Sequence, residues 1–249
     1  MDILYITTIY NEIRFLPYKM EWCRRNNLNP YVIDNYSDDF SYEWLRDHKI
    51  RCHRIDTKGA FDLKALQREM VRTMNRLKPD WVVYLGVDLF IFCDLPIGDL
   101  CWNAQEMGCN VIGFPMIDIC NTGEEPGNPF RTYFYYRHSR DLIEFVYKWS
   151  PQVRMDGDLV RMPQRRSLSP QGVMINYGRT KTPDERKKLL ERRKLAWSRG
   201  LNKKYGRHYL REQKKNWTWT KEELKDIRNS EYWKYLKNYA PIQHFDTDI

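Results

Sequence analysis

The sequence predicts an α/β fold: a mostly parallel central sheet flanked by helices, followed by a basic helical C-terminal extension. Three observations point there. Short β-rich apolar runs alternate with helical runs four times within the first 116 residues, the signature of a parallel sheet with helices on its faces. Those β-rich runs are apolar at nearly every position, as strands covered on both sides are. The net positive charge, finally, is confined to the chain after residue 178.

The elements follow in order. Ile3 to Ile9 reads as a buried strand, and Tyr10-Asn11-Glu12 as the loop after it. Ile13 to Asn26 reads as a helix with Pro17 near its first turn, where a missing N–H is tolerated. Pro30 to Ile33 is a short strand running into Asp34-Asn35, and Ser37-Asp38-Asp39 is turn and cap chemistry. Phe40 to Asp47 predicts a short helix and Ile50 to Ile55 a strand. Asp62 caps a helix whose Leu63, Leu66, Met70, Met74 and Leu77 form one apolar stripe, and Pro79 closes it. Trp81 to Leu85 is the next buried strand, with Asp88 just past its end. Pro96 to Met107 predicts a helix and Asn110 to Met116 a strand.

Beyond Met116 the pattern loosens. Asn121 to Phe130 is a Gly/Pro-rich loop, Thr132 to Arg137 a strand, and Asp141 to Trp149 a helix with Leu142, Phe145, Val146 and Trp149 on one side. Ser150 to Pro170 is irregular and Gly172 to Tyr177 a short strand. Asp184 to Trp197 and Lys221 to Lys237 predict charged helices, the first with Pro183 at its start. The expected organisation is one domain over residues 1–178, with the basic helical extension, 179–249, packed on it.

Composition narrows the function classes. Nine Trp and 17 Tyr in 249 residues exclude a disordered chain. No apolar run approaches the roughly 18 residues of a membrane span. The apolar N-terminus lacks a basic n-region and a small-residue cleavage site, so it is expected as a strand rather than a signal peptide. The six cysteines show neither a C-x-x-C pair nor zinc-like spacing, as for reduced thiols in a cytoplasmic protein. The formal charge is +9, yet Arg179 to Lys234 alone holds 19 Lys/Arg against 8 Asp/Glu. Such a field recruits anions: a nucleotide diphosphate, a nucleic acid or an anionic membrane surface.

No G-x-G-x-x-G follows the first strand, and there is no P-loop and no G-x-S-x-G, which removes the usual dinucleotide, NTPase and hydrolase readings. What remains is a sheet edge. Ligands on parallel sheets bind at the carboxyl ends of the strands, and Asn11, Glu12, Asp34, Asn35 and Asp88 all follow strands. Asp34 is placed to accept from a base or ribose, and Asp88 to hold a divalent metal against a diphosphate.

Here the chain resembles a family. The opening TTIYNEIRFLPYKMEWCRRNNLNPYVIDNYSDD is similar to the N-terminal half of family 2-like glycosyltransferases with the GT-A fold. PDWVVYLGVDLFIF resembles the strand that ends in their acidic D-x-D motif. NYGRTKTPDERKKLLERR resembles the segment where related enzymes carry His-Tyr-Gly and a basic helix. The resemblance implies an inverting transfer of a sugar from a nucleotide-diphosphate donor, UDP-linked before GDP-linked, to a glycan acceptor, as in glycan biosynthesis. It places Tyr10, Glu12, Asp34 and Asn35 against the nucleotide, and Mn²⁺ or Mg²⁺ on Asp88. Two positions depart from the pattern: the D-x-D triplet is Gly86-Val87-Asp88, and His-Tyr-Gly is Asn176-Tyr177-Gly178. Losing such ligands weakens affinity for a hard dication. Either Asp88 holds the metal with diphosphate oxygens and water, or Arg179, Lys181 and Arg186 neutralise the diphosphate instead.

Inversion needs a carboxylate base on the acceptor hydroxyl. The candidates are Asp156 and Asp158, with Asp118 behind them. The alternatives are a non-catalytic nucleotide-sugar-binding relative and a nucleic-acid-binding protein using the basic segment. The second leaves the edge carboxylates unexplained, so no nucleic-acid partner is expected. The later part of the basic segment is left to face solvent, an acidic acceptor or, by peripheral contact, a membrane surface.

Overall fold

The computed structural model describes residues 1–120, 135–156, 159–201 and 223–237. Strands β1 (Ile3–Ile9), β2 (Asn29–Asp34), β3 (Arg51–Arg54) and β4 (Trp81–Tyr84) form the parallel half of one sheet. Helices α1 (Leu16–Arg25), α2 (Ser41–Asp47) and α3 (Leu63–Leu77) connect them in turn. The other half holds β5 (Leu89–Cys93), β6 (Val111–Ile119), β7 (Tyr135–Lys148) and β11 (Gly172–Asn176), with α4 (Ile97–Glu106) between β5 and β6. The strand order is β3-β2-β1-β4-β7-β6-β11-β5. Two short strands join it: β10 (Ser167–Leu168) on β6 and β12 (Lys225–Asp226) on β7. A separate hairpin of β8 (Arg154–Asp156) and β9 (Leu159–Arg161) stands off the sheet.

Both faces of the sheet are covered, as the apolar runs require. Tyr5, Phe15, Trp22, Leu45, Phe90 and Leu100 belong to one core layer, toward α1, α2 and α4. Leu4, Ile6, Ile33, Met70, Met74 and Val82 form the other, toward α3. Burying stripes of this size is the main favourable term in folding. Asp62 caps α3 by accepting from Ala65 N at 3.1 Å, as its place before the stripe predicts. The helix α5 (Pro183–Ser198) begins with a full capping box: Thr182 Oγ1 accepts from Glu185 N, and Glu185 accepts from Thr182 N.

Two expectations are corrected, and one unassigned segment is placed. The segment from Asp141 to Trp149 is not a helix; residues to Lys148 belong to β7, antiparallel to both β4 and β6. In a strand buried on both faces, apolar residues need not alternate. A bulge adds to this: Val146 pairs with Ile112 and Glu144 with Gly113, which leaves Phe145 as the extra residue. Leu142, Phe145, Val146 and Trp149 thereby mimic helical spacing, yet Leu142 is 44% exposed. Leu89–Cys93, unassigned from sequence, is a strand antiparallel to β11. The described part of Lys221 to Lys237 is β12, a 3-10 turn at Ile227–Asn229 and a five-residue helix α6 (Trp233–Lys237). Asp226 and Ser230 side chains accept from Arg228 N and Tyr232 N, turn chemistry that competes with a continuous helix.

All six cysteines lie among the described residues and none is paired. No helix among the described residues is long and apolar enough to cross a membrane.

Candidate functional site

The strand order contains a switch point. From β1 the chain goes to β2 and β3 on one side, then crosses to β4 on the other. Loops leaving β1 and β4 at their carboxyl ends diverge there and leave a crevice. Tyr10, Asn11 and Glu12 follow β1, and Gly86 to Asp88 follow β4. Asp34 and Asn35 close β2, Asp118 lies near the end of β6, and Asn176 ends β11 in register with it. All of them therefore share one edge. A cleft of ≈ 230 Å³ opens beside it, lined by Tyr10, Asn11, Glu12, Lys181, Glu185 and Lys188 among others.

The loop after β1 is held by the loop after β2. Asn11 takes a left-handed φ of 56°, a conformation Asn tolerates. Its N–H donates to Ser37 Oγ at 2.9 Å, and its side chain exchanges two hydrogen bonds with Asp38. Glu12 N donates to Ser41 Oγ at 3.1 Å. Tyr10 lies under the Arg192 guanidinium, 3.5 Å from ring centroid to Cζ. Arg192, from α5, also donates to the Gly59 and Ala60 carbonyls. Helix α5 thus straps the edge from the site to the loop before α3. Asn35 is buried, with its side chain 2.8 Å from the Thr57 hydroxyl.

Each carboxylate on the edge already faces a protein cation. Asp34, fully buried, accepts from Arg54 Nε at 2.8 Å and from Ser37 N. Asp118 accepts from Arg137 at 3.1 Å and Asn176 Nδ2 at 2.8 Å, with Arg179 at 3.6 Å. Lys181 Nζ lies 2.5 Å from Glu12 Oε1 and 3.6 Å from Asp88 Oδ2. Burial depresses the Lys181 pKa, but Glu12 and Asp88 more than offset this and raise it. Burial pushes Glu12 up to about 7; Lys181 opposes that and the like charge of Asp88 adds to it. Glu12 is therefore the half of this pair that is easier to neutralise.

Gly86, one of the two departures from the resembled pattern, and Gly178, the glycine of Asn-Tyr-Gly, both crowd Asp88. A Cβ on Gly86 would come 2.7 Å from Asp88 Oδ1, and one on Gly178 would come 2.8 Å from Asp88 Oδ2. The Asp88 carboxylate occupies the space that side chains at both positions would need. Asn176 Oδ1, at the position of the family's histidine, accepts from Gly178 N at 2.8 Å. A hard dication wants several oxygen donors. Among the described residues no three His, Cys, Asp or Glu side chains converge on one point, and the Asp88 carboxylate faces an ammonium. These residues do not fit a resident Mn²⁺ or Mg²⁺.

The sequence-derived candidates separate accordingly. Tyr10, Glu12, Asp34, Asn35, Asp88, Arg179 and Lys181 share the edge. Arg186 turns back on its own helix, with Nε 3.4 Å from the Thr182 carbonyl. Asp156 closes β8, in a hairpin reached from the amino edge of the sheet, where Trp149 N donates to Asp80 O. Val153 and Met155 belong to the layer on the α3 side. Asp158 lies outside the described residues. Arg14, Arg54 and Arg192 were not singled out from sequence. Arg54 had a readable signal, since it closes the strand beside Asp34; nothing distinguished Arg192 within its basic run.

No family model and no curated protein matches this sequence. Solved structures overlap it in part. TarS 1-349 from S. aureus in complex with UDP is 14% identical over 53% of this chain and 40% of that one, with a TM-score of 0.39. Glucosyl-3-phosphoglycerate synthase from Mycobacterium tuberculosis, with Mn²⁺, UDP and glucosyl-3-phosphoglycerate, is 14% identical over 47% and 44%, with a TM-score of 0.31. Glycinamide ribonucleotide transformylase 1 from Symbiobacterium toebii is 17% identical over 44% and 62%, at 0.28. This chain thus spans less than half of the TarS and synthase chains. The overlaps join proteins with different named activities, so they select none for this one.

Proposed function

We propose that this protein transfers a sugar from a nucleotide-diphosphate donor, UDP-linked, to a glycan acceptor by single displacement with inversion. The observation that carries the reading is the cleft between the loop after β1 and the start of α5, lined by Tyr10, Glu12 and Lys181, beside the carboxyl edge where the strand order switches. The order and spacing of the motifs that resemble family 2-like glycosyltransferases support it as well. In this reading Tyr10, Asp34 and Asn35 flank the nucleoside. Glu12 orients Lys181, and Lys181 with Arg179 meets the diphosphate, whose developing charge on leaving they stabilise. A carboxylate must take the acceptor proton; Asp156 and Asp158 can serve only if their hairpin, which leaves the sheet at its amino edge, reaches across to this one.

A panel of UDP- and GDP-sugars with glycan acceptors tests it. The expected result is acceptor-dependent UDP release and a product of inverted anomeric configuration. Failure of every nucleotide sugar to bind overturns the reading. Binding with no transfer to any acceptor replaces it by that of a nucleotide-sugar-binding protein.

A further inference from the structure

The same cleft raises the question of which cation meets the diphosphate. We infer that Lys181 is the resident cation of this site, so that a nucleoside diphosphate binds there without a divalent metal. The inference rests on the nucleotide reading above and specifies its chemistry.

Three independent features carry it. First, Lys181 Nζ, in the lining of the cleft, stands between Glu12, which also lines it, at 2.5 Å and Asp88 at 3.6 Å. Its side chain is 12% exposed. A dication bound by Asp88 would have to share this space with an ammonium. Second, the donors that would complete a metal shell are engaged or sterically displaced. Asn176 Oδ1 accepts from Gly178 N, Asp118 faces two arginines, and Asp88 fills the space beside Gly86. Third, a second cation stands beside the first. Arg14 Nη2 donates to the carbonyl and hydroxyl of Thr180, the residue before Lys181, and lies 3.7 Å from Glu185 Oε2. Its buried Nε and Nη1 have no hydrogen-bond partner among the described residues. The Arg14 guanidinium and the Lys181 ammonium both lie over the Phe15 ring, at 4.7 and 5.7 Å. Unmatched buried N–H groups are costly, and a phosphoryl oxygen is a strong acceptor for them. An ammonium has three donors; the hydrogen bond to Glu12 is the contact Lys181 loosens to reach the diphosphate.

The test is calorimetric titration of the full chain with UDP, once in excess EDTA and once in Mn²⁺. The wild-type affinity is expected to be the same in both. Lys181→Met is expected to weaken UDP in EDTA by roughly tenfold to a hundredfold, the worth of a hydrogen bond to a charged group. Arg14→Gln, which leaves the Glu12 and Asp88 contacts intact, is expected to weaken it as well. Wild-type binding that appears only with Mn²⁺ overturns the inference, and that arm depends on no variant. So does a folded Lys181→Met that binds UDP in EDTA as the wild type does. UDP binding in neither condition overturns the nucleotide reading itself.

Discussion

Lys19 is a lysine in the core, and its replacement makes a quantitative prediction. It projects from α1, is fully buried, and donates to the Leu89 carbonyl in the residue after Asp88. Tyr5, Trp22 and Phe90 surround its ammonium at 5.0, 4.1 and 4.6 Å. Burial pulls its pKa from 10.5 down to about 7, although Cys23 and Asp88 pull the other way. Between those two values the unfolded chain binds a proton there that the folded protein does not. Stability therefore rises with pH across that window, and the penalty is fully present below about 7. The whole shift is worth roughly 5 kcal/mol, and the slope approaches ~1 kcal/mol per pH unit. Lys19→Met keeps the length and removes the charge. It leaves the Leu89 carbonyl without its donor, a loss of about 1–3 kcal/mol. The variant is then on the order of 2 kcal/mol more stable than wild type at neutral pH, and the gap narrows as pH rises. Urea denaturation followed by tryptophan fluorescence, in steps from neutral pH to about 9, reads this directly. The range stops there because burial pushes the Cys23 thiol up to about 12, which costs stability at higher pH. Parallel pH profiles for the two proteins, or a variant less stable at neutral pH, would refute the reasoning.

Three further outcomes follow from the edge. Gly178→Ala puts a Cβ within 2.8 Å of Asp88 Oδ2 and 2.9 Å of Asn176 Oδ1. Both atoms are movable side-chain ends, so the cost should be about 1 kcal/mol, the low end for overpacking, and UDP affinity should rise as Asp88 is moved off Lys181; unchanged affinity would show that the resting position of Asp88 is immaterial. Arg54→Met leaves the buried Asp34 carboxylate without its ion-pair partner. The expected loss is about 3 kcal/mol in urea denaturation, the low end for buried pairs, because Arg54 keeps 28% of its side chain exposed. Thr182→Ala removes the cap of α5 and should cost about 1 kcal/mol; a change near zero would mean that the contacts of Arg192 alone hold that helix in place.

The parallel half of the fold was legible because its signals are local. Alternating runs, the Asp62 cap and the helix stop at Pro79 lie within a few residues of what they determine. The edge was legible for a topological reason: residues after parallel strands must share it. The signals failed where partners are distant. Strand β7 lies between β4 and β6, whose paired residues stand more than sixty and 17 to 36 residues earlier in the chain, and nothing local separates its bulge from a helix. Pairing at the site is also long-range. Glu12 and Lys181 are 169 residues apart, and Arg14 and Thr180 166. The sequence displayed the carboxylates and, separately, a basic run, without showing which lysine met which acid.

That pairing changes the meaning of the charge. Arg179, Lys181, Lys188 and Arg192 all come from the basic segment and all turn toward the sheet edge. Their contacts are unequal. Lys188 and Asp38 are both more than half exposed, and a pair of that kind is worth about 0–1 kcal/mol. Lys181, Glu12 and Asp88 are each no more than a fifth exposed, where salt screens far less. Raising ionic strength should therefore loosen the outer face of α5 before it touches the inner pair. The inner pair is also the one a ligand must reorganise. An edge of bare carboxylates would repel a diphosphate; an edge whose acids are matched admits one by loosening a single contact, Lys181 to Glu12. Glu12, pushed up to about 7 by burial, is held ionised by Lys181, so a turn of the lysine toward a phosphoryl oxygen favours its neutral form.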